Sequence, residues 1–333
     1  MHCPEARRAP TRALRWFVLI PALVLVLSAS IGAWAVMIDN GVTGDGRWEV
    51  DVLAGGESRT GNLDPVGSPG GIVGPTEIIF DYFHFVDVGA NGGGVRLAET
   101  TVTSPPTLTG PNQVTSSGSF AGANGTIEWT AVSSIASGST LYLTTLTFSS
   151  TAPFGTLRVI QYLDEDVVGV SDDHLIVIGT AGAADFQLLT IDDDLPIGVA
   201  HAAGYLTAVN MTYIGWAADE FADLRSAITG SGATYSIVGV VDTSDLPPIT
   251  DSRFPSTPAF GPKDITSAIA FDVDPNATFA SVLFSLGGSP TGAPPPPPVT
   301  IPTDRVPAPG TLVLLGLGMA SFTAWRGMRT GRR

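Results

Sequence analysis

Between Trp48 and Leu286 the chain repeats one pattern: a short run of alternating side-chain character, then a turn signal. Period-two alternation places successive side chains on opposite faces of a strand. The runs are 48–53, 78–88, 95–102, 126–132, 141–148, 156–163, 175–178, 186–191, 205–213, 235–241, 268–273 and 278–286. Gly55-Gly56, Asn91-Gly92-Gly93-Gly94, Asn124-Gly125, Ser137-Gly138 and Gly230-Ser231-Gly232 separate them, and Asn124-Gly125 reads as a hairpin turn. In 141–148, Leu141 and Leu143 face one way and Tyr142, Leu146 and Phe148 the other. In 156–163, Leu157, Val159, Gln161 and Leu163 oppose Arg158, Ile160 and Tyr162. Both faces are partly apolar, as in strands inside a sandwich. Phe221, Leu224 and Ile228 have helical spacing, so one short helix is expected over 217–229. The expectation is an all-β chain: a large two-sheet antiparallel β-sandwich with one short helix, spanning 36–286.

Cysteine chemistry plays no part in that domain. The single cysteine, Cys3, falls in an N-terminal segment built as an export signal. Arg7, Arg8, Arg12 and Arg15 precede an apolar stretch over 16–31, and Ala33-Trp34-Ala35 forms a small-x-small cleavage site. Residues 1–35 therefore read as a signal peptide cleaved after Ala35, the alternative being an uncleaved N-terminal anchor. Without disulfides the domain must be held by burial, for which about 250 residues suffice.

The C-terminus is equally ordered. Gly287 to Asp304 is rich in glycine and proline and includes five consecutive prolines from Pro294, which favour an extended spacer of roughly 3.1 Å per residue. Val306, Pro307, Ala308, Pro309 and Gly310 follow. An apolar run over 311–325 comes next, and then Arg326, Arg329, Arg332 and Arg333. Segment 306–333 resembles the PEP-CTERM sorting signal of Gram-negative bacteria, with Ala308 where the family has glutamate. The resemblance implies an exported protein of the cell surface, outer envelope or extracellular matrix. It also implies a transmembrane helix over 311–325 that anchors the chain at least transiently, and an exosortase-type processing enzyme as partner. The association with exopolysaccharide and biofilm comes from this resemblance alone. The apolar run is shorter than the roughly 20 residues of a membrane span, and the alternative is an ordinary C-terminal anchor.

Half of the 16 basic residues lie in the two terminal segments, leaving the body with eight against thirty acidic residues, a net of −22. Such a surface repels phosphate backbones and excludes a nucleic-acid partner. It favours cations and keeps an exported protein soluble. Acidic residues crowd the segment after the 156–163 run. Asp164, Asp166, Gly169 and Asp172 take positions 1, 3, 6 and 9 of an EF-hand-like count, while Val168 and Leu175 occupy positions 5 and 12 and cannot ligate through their side chains. Asp164, Asp166, Asp172 and Asp173 are the candidate calcium ligands, with a solvated turn as the alternative. Asp192-Asp193-Asp194 and Asp272-x-Asp274-x-Asn276 are two further clusters.

No Gly-x-Ser-x-Gly, His-Glu-x-x-His or phosphate-loop pattern occurs. His84, in Tyr82-Phe83-His84-Phe85, reads as a packed strand residue, His174 as a loop residue and His201 as a residue of weakly apolar surroundings. Trp48, Trp129 and Trp216 and the tyrosines read mainly as core. No catalytic residue is assigned. The expectation is a non-enzymatic structural or adhesive protein of the cell surface or matrix. The alternative is a carbohydrate-binding module or glycan-active enzyme, calcium-dependent if the acidic loop ligates.

Overall fold

The computed structural model describes residues 35–289 except 68–73, 90–92, 165–166, 168–171, 184, 193–199 and 231–238. The expected signal peptide with Ala33, and the sorting tail with its helix over 311–325, lie outside the described residues. No helix among the described residues is long and apolar enough to cross a membrane.

The described residues are mostly β, in three sheets. The four-stranded sheet is β1 (Val36–Asp39), β2 (Trp48–Val52), β3 (Gly61–Leu63) and β4 (Thr76–Ile79), in that order. The six-stranded sheet runs β16 (Gly239–Val240), β15 (Met211–Glu220), β19 (Ile265–Val273), β11 (Arg158–Asp164), β5 (Asp81–Asp87) and β6 (Val95–Arg96). The ten-stranded sheet begins β17 (Pro248–Ile249), β18 (Ala259–Lys263), β12 (Asp173–Ile178), β13 (Gln187–Asp192) and β14 (Ala200–Val209). It continues β20 (Phe279–Ser289), β10 (Leu141–Ser150), β9 (Gly125–Ile135), β8 (Gln113–Gly122) and β7 (Thr101–Gly110). Pairing is antiparallel except between β15 and β16.

The two large sheets are the sandwich layers. Trp129, Leu146, Phe148, Val282 and Phe284 of the ten-stranded sheet pack against Val86, Val159, Ile269 and Phe271 of the six-stranded one. The four-stranded sheet adds a second core, in which Trp48, Val50 and Leu63 meet Tyr142, Ala203 and Leu286. Helix α1 (Phe221–Thr229) lays Leu224 and Ile228 on the outer face of the six-stranded sheet, against Phe83, Phe85, Ile160 and Tyr162. Both faces of β11 are therefore buried, as its two-sided apolar pattern predicts. Along β10 burial alternates, with Tyr142, Leu146 and Phe148 inside.

Several boundaries differ from the sequence pattern. The 78–88 run breaks at Phe80 into β4 and β5, and a 3-10 turn (Leu97–Glu99) interrupts 95–102. The 205–213 run is two strands in different sheets. Asn210, at φ 54, turns the chain from β14 to β15. The helix begins at Phe221, because Ala217 and Ala218 belong to β15 and pair with β19. Strand β20 extends to Ser289, where it pairs with β14, so the fold runs three residues past 286. The predicted hairpin forms with Ala123 and Asn124 as the loop between Gly122 and Gly125.

One strand carries too few large apolar residues to be read in the sequence, Val114 and Phe120 being the two it has. β8 turns Ser116 and Gly118 inward, and a Cβ on Gly118 would lie 2.4 Å from Cζ2 of Trp129. Glycine is what lets the indole lie flat on its neighbour strand. The turn at Gly55-Gly56 is equally constrained, with φ 74 and 69. A Cβ on Gly56 would meet Cγ2 of Thr144 at 2.4 Å and Oγ of Ser133 at 2.7 Å. Gly56→Ala combines left-handed strain with overpacking, and a loss of roughly 1–3 kcal/mol is expected in urea unfolding.

Candidate functional site

The Gly55-Gly56 turn is the centre of a buried polar network between the sheets. Gly55 donates its N–H to Ser116 Oγ at 3.0 Å, and its carbonyl accepts from His84 Nδ1 at 2.9 Å. That carbonyl fixes the tautomer, so Nδ1 carries the proton and Nε2 accepts from the Tyr82 hydroxyl at 3.2 Å. Gln161 Nε2 donates to the same hydroxyl at 3.0 Å, and Tyr142 donates to the Gly56 carbonyl at 2.9 Å. Burial pushes the His84 pKa down to about 3, so the ring stays neutral. Burial pushes Tyr142 up to about 12.

Glu57, next along, has a fully buried side chain and takes both Nε and Nη2 of Arg96, with Nε at 2.9 Å. The Ala98 N–H adds a third bond at 3.1 Å. Desolvation pushes Glu57 up to about 7 against the opposing pull of Arg96. The Arg96 guanidinium lies 3.4 Å from the centroid of Phe83. Arg225 and Arg59 approach the same ring at 5.3 and 5.8 Å, and Arg225 donates to Asp81 at 2.9 Å. Desolvation raises the Asp81 carboxyl even so.

Beside this network a cavity of about 340 Å³ opens between the edge of β5–β6 and the start of β7 with the end of β8. Val86, Val88, Val95 and Phe120 give it an apolar floor, and Glu99, Thr101 and Ser119 stand among its polar lining. Thr100 also lines it, but its hydroxyl is committed, accepting from Trp129 Nε1 at 2.8 Å and donating to the Leu97 carbonyl at 2.7 Å. The volume is at the lower end of small-ligand sites. Such a lining binds by apolar contact below and hydrogen bonds above.

The other candidates fall elsewhere. Asp164 ends β11 and Asp173 starts β12, in different sheets, and both are buried. Asp173 accepts from the Val167 N–H at 3.2 Å. Asp166 lies outside the described residues. Among the described residues, Asp164 and Asp172 included, no group of three His, Cys, Asp or Glu is placed to hold a metal ion. Of the second cluster, Asp192 is buried at the end of β13, and Asp193 and Asp194 lie outside the described residues. In the third, Asp272 pairs with Arg158 at 2.7 Å and Asp274 accepts from the Asn276 N–H, an ordinary turn.

His174 is a strand residue of β12, not the loop residue its acidic neighbours suggested. Its Nδ1 contacts Asp251 at 2.8 Å. Arg253 binds the same carboxylate and the Asp192 carbonyl, tying segment 248–257 to the outer face of the ten-stranded sheet. Burial raises the Asp251 pKa, but hydrogen bonds from Arg253 and His174 outweigh it and hold the group below the usual carboxylate range. His201 pairs in register with Thr190, and His174 with Ile191, so the two histidines face opposite sides of the sheet. Burial lowers His201 to about 3. Trp48 and Trp129 are core residues, as are Tyr82, Tyr142 and Tyr162. Sequence spacing gave no signal for the Glu57–Arg96 pair or the His174–Asp251 contact, whose members lie 39 and 77 positions apart.

Residues 305–329 match the PEP-CTERM protein-sorting motif. The motif marks an exported, cell-envelope-associated protein subject to membrane anchoring and exosortase-type processing. No curated protein matches the chain. Among solved structures, a bacterial glucoamylase complexed with acarbose is similar at TM-score 0.44 and 11% identity, over 77% of this chain and 33% of that one. This chain thus spans about a third of the glucoamylase's length. An aldose epimerase homologue from C. elegans is similar at TM-score 0.41 and 7% identity, over 77% of this chain and 99% of that one.

Proposed function

We propose that this chain is a non-enzymatic structural or adhesive protein displayed at the cell surface or in the extracellular matrix of a Gram-negative bacterium. The sorting motif at 305–329 carries the reading. The proline-rich stretch before it suits a spacer between an anchored tail and a folded domain. The use of titratable groups supports a non-catalytic domain. Glu57 and Arg96 neutralise each other in the interior, His84 is held neutral, and Asp251 is bound to Arg253. These groups hold segments together.

The test is sorting. Deleting 306–333 is expected to release soluble protein into the periplasm or medium, read by immunoblotting of cell fractions. Retention of the truncated protein with the envelope would remove the basis of this reading. The cavity supports a second reading, a carbohydrate-binding module: an apolar floor under a carboxylate and hydroxyls suits one sugar ring.

A further inference from the structure

The charges of this protein are segregated. From Thr100 to Leu157 the only charged residue is Glu128, whereas the rest of 36–286 carries 28 acidic and seven basic residues. That uncharged stretch forms the consecutive strands β7 to β10 at one side of the ten-stranded sheet. Their inner positions, such as Ala131, Leu146 and Phe148, are buried in the sandwich, while the outer positions are half-exposed or exposed.

The outer positions are mostly hydroxyls in register. Ser117 lies opposite Thr130, Thr130 opposite Thr147, and Thr147 opposite Ser281. Thr103 on the edge strand extends the row, its Oγ1 lying 3.2 Å from Ser117 Oγ. Five hydroxyls thus cross five strands, at about 4.8 Å per strand and roughly 19 Å in all. Val132, Leu143 and Leu283 share this face and are half-exposed. At the β7 edge Thr101 and Ser119 pair, and both line the cavity.

We infer that this outer face binds a neutral, polyhydroxylated polymer, a polysaccharide without uronate or phosphate groups. The inference rests on the carbohydrate-binding reading above and gives it a surface. The Thr130 and Thr147 hydroxyls are donors and acceptors at once, as is each sugar hydroxyl, so they exchange hydrogen bonds in either sense, while Ser281 Oγ donates to the Leu146 carbonyl at 2.9 Å and is left to accept. The interspersed aliphatic side chains meet the C–H faces of the rings. Charge selects the class: a body at −22 repels a polyanion, and this face, whose strands β7 to β10 carry a single charge in the exposed Glu128, suits a partner that carries none. The cavity receives a ring at the end of the face.

The test uses the detergent-solubilised full chain and insoluble neutral glucans, cellulose and curdlan, with immobilised polygalacturonate as the anionic comparison. Depletion from solution by at least one neutral glucan is expected, undiminished by high salt, with no retention on polygalacturonate. Thr130→Asp combined with Thr147→Asp should weaken binding tenfold or more in a protein that stays folded, its melting temperature lowered because the two carboxylates face each other across β9 and β10. Ser117→Lys, of opposite charge, should also weaken it, while Thr212→Asp on the exposed part of β15 should not. Failure to bind either neutral glucan, or equal binding by the double variant, would overturn the inference. So would a chain that ignores glucans but forms a dimer in sedimentation that the double variant splits, because the face would then join two copies. Fractionation of the tail deletion is read independently, so failure here leaves the sorting result standing.

Discussion

Replacing Arg96 by methionine should cost about 3–5 kcal/mol at pH 8, because it leaves the Glu57 carboxylate buried without its counter-charge. Glu57 is fully buried, and Arg96 supplies two of its hydrogen bonds and its main favourable charge. The sign of the pH dependence follows. Desolvation already holds the folded pKa at about 7, above the ordinary value of 4.5, and removing Arg96 raises it further. Stability linked to a raised carboxyl is present below the unfolded pKa and is lost as pH rises through the folded one. The deficit relative to the parent should therefore shrink between pH 8 and pH 5.5, and Glu57→Gln added to Arg96→Met should recover part of it at pH 8. Urea unfolding at both pH values measures this. A deficit below 1 kcal/mol, or one equal at both pH values, would show that the pair is not the buried ion pair described.

The second large effect is acid destabilisation through the histidines. His84 and His201 have folded pKa values of about 3 against 6.5 for the exposed ring, because burial disfavours the charged form. Between pH 6 and 5 the unfolded chain holds close to two protons at these rings that the folded chain refuses. Over the same window folded Glu57 holds close to one that the unfolded chain has released. The net is one proton, so unfolding free energy should fall by about 1.4 kcal/mol per pH unit on acidification. In His84→Gln one ring is removed, and the slope over that window should drop close to zero whatever the variant's absolute stability. A slope unchanged by the substitution would mean that His84 titrates normally and is not sealed against the Gly55 carbonyl.

These interactions separate what could be read along the chain from what could not. Strand faces were legible wherever side chains alternate in size and polarity. Tyr142, Leu146 and Phe148 point inward on β10 as the period requires, and the two apolar faces of β11 do meet different partners. β8 was not legible, because between Val114 and Phe120 its inner face is serine and glycine shaped to receive Trp129. A small residue reads as polar or as a turn until the side chain that fills its space is known. The same holds for Gly55-Gly56: a turn in the sequence, and in the fold the anchor of a network drawn from four strands.

The sequence alone determined the all-β architecture and the address. Alternation, turn glycines and the sorting motif are each written in a few adjacent residues, where backbone geometry and local recognition act. Tertiary structure decided which charges meet and which faces stay open. Glu57 and Arg96 are 39 positions apart, and His174 and Asp251 are 77 apart. The hydroxyl row on β7, β8, β9, β10 and β20 exists only because register sets Ser117, Thr130, Thr147 and Ser281 side by side. Strand pairing brings together residues whose separation along the chain carries no trace of the contact, and the strength of a charge or hydroxyl depends on the burial that such pairing creates.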